Sequence, residues 1–93
     1  MRHYEMLTIL SAELEDPKEE VGKIEEVVRS LGGNVTQTDV WGKKALAYPI
    51  QKKSEGNYVL FNFDLEPAAT FELRRILGLR SNVYRQMIIL LDE

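Results

Sequence analysis

The cationic residues of this chain sit in unusual company. Lys43 and Lys44 fall inside the stretch Trp41-Gly42-Lys43-Lys44-Ala45-Leu46-Ala47-Tyr48-Pro49-Ile50, and Arg85 falls inside Asn82-Val83-Tyr84-Arg85-Gln86-Met87-Ile88-Ile89. Both stretches otherwise suit a sheet. A strand that carries Lys or Arg among apolar and aromatic residues holds those charges at fixed points, which a flexible basic tail cannot do. That arrangement fits an anionic partner of definite shape, and RNA is bound largely through phosphate and sugar contacts plus stacking. Arg2 and Arg80, at strand ends, join the set. Arg brings a planar fork of donors to phosphate and Lys a point charge. Lys52, Lys53, Arg74 and Arg75 belong instead to a turn and a helix, where a solvated face explains them.

Other chemistries lack their residues. Without cysteine there is no disulfide framework, no thiolate nucleophile and no cysteine-ligated zinc. His3 is the sole histidine, so a multi-histidine metal site is excluded and surface exposure is expected. Phosphate-cradling glycine loops, nucleophile elbows and paired His/carboxylate spacings are missing. An acylphosphatase-like enzyme needs a glycine-rich anion loop after its first strand, and Ser11-Ala12-Glu13-Leu14-Glu15-Asp16 would repel an anion. The sequence therefore predicts no catalytic residue, no metal, no cofactor and no small-molecule substrate. Trp41 reads as an edge-strand packing residue. Gly56-Asn57-Tyr58-Val59-Leu60-Phe61 bears a weak likeness to the aromatic third strand of RNA-recognition modules, but its spacing is one residue short and a buried strand explains it equally.

With 93 residues, 44% hydrophobic and 29% charged, the chain reads as one soluble globular domain, 1–93. No apolar run approaches a membrane span, and the N-terminus lacks a signal-peptide pattern, so a cytoplasmic location is expected. The net charge of -3 argues against a nucleic-acid partner until its distribution is considered. Glu13, Glu15, Asp16, Glu19, Glu20, Glu25 and Glu26 crowd one early segment, whereas the cations dominate later ones. Screening confines each field to about 8 Å at physiological salt, so an acidic helix leaves a distant basic patch effective.

The elements that must position these residues follow from periodicity. Residues 2–11 are extended. Asp16-Pro17-Lys18-Glu19 is a helix start, with Asp16 as cap, Pro17 at the first helical position and Glu19 at capping-box spacing. Val21, Ile24, Val28 and Leu31 then form an amphipathic stripe that stops at Gly32-Gly33, predicting a helix over 17–31. Asn34–Ile50 reads as a long strand in which Gly42 marks a bulge or a bend, leaving open which face the later residues address. Gln51–Gly56 is a polar turn and Asn57–Asp64 an alternating strand, together a hairpin. Glu66-Pro67 opens a second helix with Phe71, Leu73, Ile76 and Leu77 as its apolar contacts, ended by Gly78. Residues 82–91 form a last strand.

That order, βαββαβ, is the split βαβ pattern of a ferredoxin-like sandwich. It implies an α+β fold: a four-stranded antiparallel sheet, first and third strands central, with two helices on one face. Val59, Phe61 and Phe63, with Tyr4, Met6 and Leu10, should meet the helices. Leu7, Ile9, Tyr58 and Leu60 would then lie on the open face as a contiguous apolar patch, which marks a partner surface. The same patch could make a homodimer.

Several of these stretches resemble one family. Arg2-x-Tyr4-Glu5, Gly42-Lys43-Lys44-x-Leu46-Ala47-Tyr48-Pro49-Ile50, Gly56-x-Tyr58, and Glu72-Leu73-Arg74-Arg75-x-Leu77-x-Leu79 followed by Asn82-Val83-x-Arg85 look like the sixth protein of the bacterial small ribosomal subunit. The resemblance covers nearly the whole chain in order. It implies a non-enzymatic binder of the central domain of small-subunit ribosomal RNA, acting as a heterodimer with the eighteenth protein of that subunit. Carried to these positions, it implies RNA contact by Arg2, Lys43, Lys44, Arg80 and Arg85, and partner contact by Leu7, Ile9, Tyr58 and Leu60. The sequence departs from the family pattern at its end, where Asp92-Glu93 closes the chain and Leu90-Leu91 stands where a basic residue is common. The competing expectation is a homodimeric ferredoxin-like regulatory domain that binds a small molecule on its sheet.

Overall fold

Alternation along the first strand decides the architecture. In β1 (Arg2–Ser11), Tyr4, Met6, Thr8 and Leu10 are buried while Glu5, Leu7 and Ile9 are half-buried, so one side of the strand faces a core and the other does not. The computed structural model describes residues 1–50 and 53–91. After β1 come α1 (Lys18–Ser30), β2 (Asn34–Ile50), β3 (Lys53–Leu65), α2 (Ala69–Gly78) and β4 (Val83–Leu90). The strands form one antiparallel sheet in the order β2-β3-β1-β4, as the βαββαβ pattern requires.

β1 and β3 pair without a slip from Arg2 opposite Leu65 to Ser11 opposite Gly56. Opposed residues share a face, so Val59, Phe61, Phe63 and Leu65 join Tyr4, Met6 and Leu10 beneath the helices. Val21, Ile24 and Val28 of α1 and Leu73 and Leu77 of α2 close this core. Tyr4 stacks on Phe63 with ring centroids 5.7 Å apart. Two buried polar side chains find backbone acceptors: the Thr8 hydroxyl donates to the Val59 carbonyl at 2.9 Å, and the Asn57 amide to the Ser11 carbonyl at 2.9 Å. Neither is left to bear an unsatisfied desolvation cost.

The helix ends follow their expected chemistry with one change. The Asp16 carboxylate accepts the Lys18 N–H at 3.0 Å, but Glu19 pairs forward with Lys23 at 3.4 Å. At the other end the Gly33 N–H bonds the Val28 carbonyl and the Gly32 N–H the Arg29 carbonyl, both at 2.9 Å. That is the Schellman closure, and it needs the positive φ of 87° that Gly32 adopts. In α2 the expected contact from Phe71 is corrected: its side chain is 80% exposed, while Leu73 and Leu77 are buried and Ile76 is half-buried. Two residues before Leu73 is about 200° around a helix, which turns Phe71 to the outer side.

Two glycines make opposite predictions. A Cβ on Gly33 would lie 2.7 Å from the Asp64 carbonyl oxygen and 2.8 Å from Val28 Cγ1, so Gly33→Ala should destabilise the fold by about 1–3 kcal/mol. Gly22 lies within α1 with nothing inside 4 Å of such a Cβ, so Gly22→Ala should stabilise it by about 0.5–1 kcal/mol. Thermal unfolding of both variants beside the parent checks the pair of signs.

Candidate nucleic-acid and protein interface

On the side of the sheet away from the helices, strand register sets side chains in rows. One row runs Tyr58, Ile9, Arg85 across β3, β1 and β4; the next runs Asp39, Leu60, Leu7, Met87 across all the strands; a third runs Gln37, Asn62, Glu5, Ile89. The expected patch of Leu7, Ile9, Tyr58 and Leu60 is thus contiguous at the centre of the sheet. Leu7, Ile9, Tyr58, Arg85 and Met87 line a shallow groove of about 230 Å³. Gly56 belongs to this surface: a side chain there would run into Ile9 Cγ2 and approach Leu46 Cδ2 at 3.6 Å. Its absence lets Ile9 lie over the β3 backbone.

Gly42 settles the facing that its sequence left open. It takes φ 90°, and the ladder slips between Val40 and Gly42, so Trp41 is the extra residue of a bulge. The bulged indole stacks on Tyr58, centroids 6.5 Å apart and planes 7° from parallel, and stays 47% exposed. Trp41 therefore extends the apolar surface across the β2 edge. After the bulge Lys43 opposes Asn57 and Lys44 opposes Gly56, so the two lysines project to opposite sides of β2.

The candidate RNA-binding cations are gathered toward one end of the sheet, with one exception. Lys43, Lys44 and Arg85 all lie level with the Ile9–Ser11 end of β1. Arg2 stands at the strand's other end, about 30 Å away at 3.4 Å per residue. Arg80 is near the first group, because the Ser11 N–H bonds the Asn82 carbonyl at 2.9 Å. Its charge is already matched. The guanidinium grips the Glu20 carboxylate with Nε–Oε2 at 2.5 Å and Nη2–Oε1 at 2.9 Å, and the Asn82 amide reaches the same carboxylate at 3.5 Å. Glu20 is 2% exposed although it sits in the acidic first turn of α1. The Arg80 fork holds its carboxyl below the ordinary value of 4.5 against the opposing effect of burial.

Lys52 lies outside the described residues. Arg75 is paired with Glu72 on the exposed side of α2, and the α1 acids are partly paired within their own helix, Arg29 with Glu26 at 3.3 Å and Glu25 at 3.8 Å. His3 is exposed and pairs with Asp64. Among the described residues no His/Cys/Asp/Glu cluster could hold a metal, and no helix is long and apolar enough to cross a membrane.

Residues 3–90 match the family model described as Ribosomal protein S6. The chain belongs to this family. Curated relatives agree along the full length: a small ribosomal subunit protein bS6 of Caldanaerobacter subterraneus is 43% identical over 100% of both chains, and one of Micrococcus luteus is 45% identical over 100% of this chain and 94% of the relative. The crystal structure of the 30S ribosomal protein S6 of Thermotoga maritima superposes with a TM-score of 0.87, covering 96% of this chain and 86% of that one at 21% identity. A chain from the Thermotoga maritima complex of the CheA P2 domain with CheY shares the fold alone, at TM-score 0.66 and 14% identity. As an S6-family member the chain is a structural component of the small ribosomal subunit and not an enzyme.

The sequence reading omits two contributors to this surface, Met87 and Ile89, and the burial of Glu20 in α1. Trp41, expected as an edge-strand packing residue, does pack from the β2 edge, and the bulge sets its ring on Tyr58. Met87 and Ile89 extend the open face, 44% and 52% exposed, and the signal for them was available: they share the parity of Arg85 in β4. Glu20 carried no local sign of burial, since its partner lies sixty residues away.

The Glu20–Arg80 pair ties the α2–β4 loop to α1, and removing one partner strands the other. Arg80→Ala should cost about 3 kcal/mol, the low end for a buried pair because Arg80 remains 29% exposed. The folded carboxyl is depressed, so its stabilisation is complete above the unfolded value of 4.5 and is lost as pH falls through the lower folded value. Chemical denaturation from neutral to acid pH should therefore show a steeper loss of stability in the parent than in Glu20→Gln.

Proposed function

We propose that this S6-family chain docks the eighteenth protein of the small subunit on its open sheet face, and that the heterodimer binds the central domain of small-subunit ribosomal RNA. The observation that carries the reading is a central apolar surface on an uncovered sheet, with strand-held cations concentrated beyond one end of it. Leu7, Ile9, Tyr58 and Leu60 supply desolvated contacts of the kind that dominate protein interfaces. Lys44 and Arg85 rise from the same face on the two edge strands of the sheet, about 16 Å apart, given roughly 4.8 Å per strand and a two-residue offset at roughly 3.4 Å per residue. Lys43 covers the other side of the β2 edge, so the two lysines can address a phosphate backbone that passes that edge.

Arg80 takes a different role from the other candidates. Its fork is occupied by Glu20, and it supports the RNA surface by fixing the loop that leads into β4. Arg2, at the far end of β1, would meet a separate stretch of RNA. Neutralising phosphates releases counterions, so affinity should fall with salt.

The reading is checked by two variants. Lys43→Ala combined with Lys44→Ala should weaken RNA binding by the heterodimer at an unchanged thermal midpoint, and lower the logarithmic salt slope by up to about 2. Unaltered binding across a salt series removes both lysines from the interface. Leu60→Lys should weaken capture of the eighteenth protein by about tenfold or more, because it sets a charge in the centre of the patch. Full retention of that partner by the variant would overturn the assignment of the open face.

A further inference from the structure

The two edges of the sheet are unlike. On β2 the rim is interrupted by the Trp41 bulge and studded with Asp39, Lys43 and Lys44, devices that discourage another strand from pairing. On β4 the segment Gln86-Met87-Ile88-Ile89-Leu90-Leu91 has no charge, no proline and no glycine, and it pairs with β1 without a slip from Tyr4 opposite Leu90 to Ile9 opposite Arg85.

The outward-facing backbone groups of β4 can be named. The Leu91 N–H bonds the His3 carbonyl at 2.9 Å, so residues of odd number on β4 address β1. Those of Gln86, Ile88 and Leu90 point away from the sheet, where no further strand lies among the described residues. Each is an amide and a carbonyl in want of an extended partner.

We propose that this edge pairs with β4 of a second copy of the chain, antiparallel and about a two-fold axis through Ile88. The register is dictated by the free groups. With Ile88 opposite the partner's Ile88, Gln86 meets the partner's Leu90, and every outward amide and carbonyl between them is matched. The side chains are compatible in the same register. Met87 falls beside the partner's Ile89 on the open face, which joins the two apolar surfaces, and Arg85 falls opposite the partner's Leu91, so the arginines do not oppose each other. A two-fold pairing also closes on itself and stops at a dimer, because the remaining edge of each copy is the charged and bulged β2. The proposal concerns the free chain and does not depend on the RNA reading.

The chain has no cysteine, so an introduced thiol is the only one present. Met87→Cys and Ile89→Cys, both on the exposed face, should cross-link when the two variants are mixed and oxidised, at least tenfold faster than either alone. In the proposed register their Cα atoms are about 4.5 Å apart, within disulfide reach. Sedimentation equilibrium of the full chain from about 5 to 500 µM should show a monomer–dimer equilibrium. Leu90→Pro, which deletes an outward N–H, should weaken it at least tenfold while leaving the thermal midpoint and circular dichroism near the parent's. A monomer throughout that range overturns the proposal, and so does a dimer indifferent to Leu90→Pro with no preference for the mixed cross-link.

Discussion

Everything in this molecule is referred to the unbroken β1–β3 ladder. Because side chains alternate, one register assigns Met6, Leu10, Val59, Phe61 and Phe63 to the helices and Leu7, Ile9, Tyr58 and Leu60 to the opposite side. A slip of one residue would turn one strand over against the other, placing Glu5 of β1 or Asn62 of β3 in the core. The burial of two phenylalanines, a methionine and several leucines opposes that slip more strongly than any turn could. The open apolar face is thus the obligatory reverse of the core, held by the same hydrogen bonds.

On that frame the charges are sorted by distance. The acids of α1 lie on the helix layer, where several pair with neighbours one turn away, and such exposed pairs contribute little to stability. Lys44 and Arg85 lie on the reverse side of the sheet. A chain with a net charge of -3 therefore retains a local cationic end, since screening decouples the two layers. The exception is Glu20, which is buried and paired with Arg80. One acid on the inner edge of α1 thereby stiffens the loop from which β4 starts.

Much of this was legible before folding, and the failures share a cause. Element order, the α1 stripe, the bulge at Gly42 and the open-face patch all follow from spacing within one element, and the structure has them. Phe71 was placed inward because it is apolar and near Leu73, though helical geometry sets it on the far side. The pairing of Arg80 with Glu20 escaped the sequence because the partner is on another element. Trp41 depended on how a bulge redirects one side chain, and φ at Gly42 is settled by the β2–β3 ladder as a whole.

By itself the sequence determined the βαββαβ order, the two periodicities that assign core and surface, and, through its motifs, the ribosomal S6 kinship. These are local properties, carried by neighbours three, four or two positions apart. Only the tertiary structure decided which cations stand together, since β2 (through β3) and β4 are brought level with the same end of β1 by pairings that no local pattern encodes. It alone decided that Arg80 belongs to Glu20, that Lys43 and Lys44 part to opposite sides of β2, and that the bare edge is β4. Those outcomes come from long-range register and from desolvation, which act only once distant segments are packed against each other.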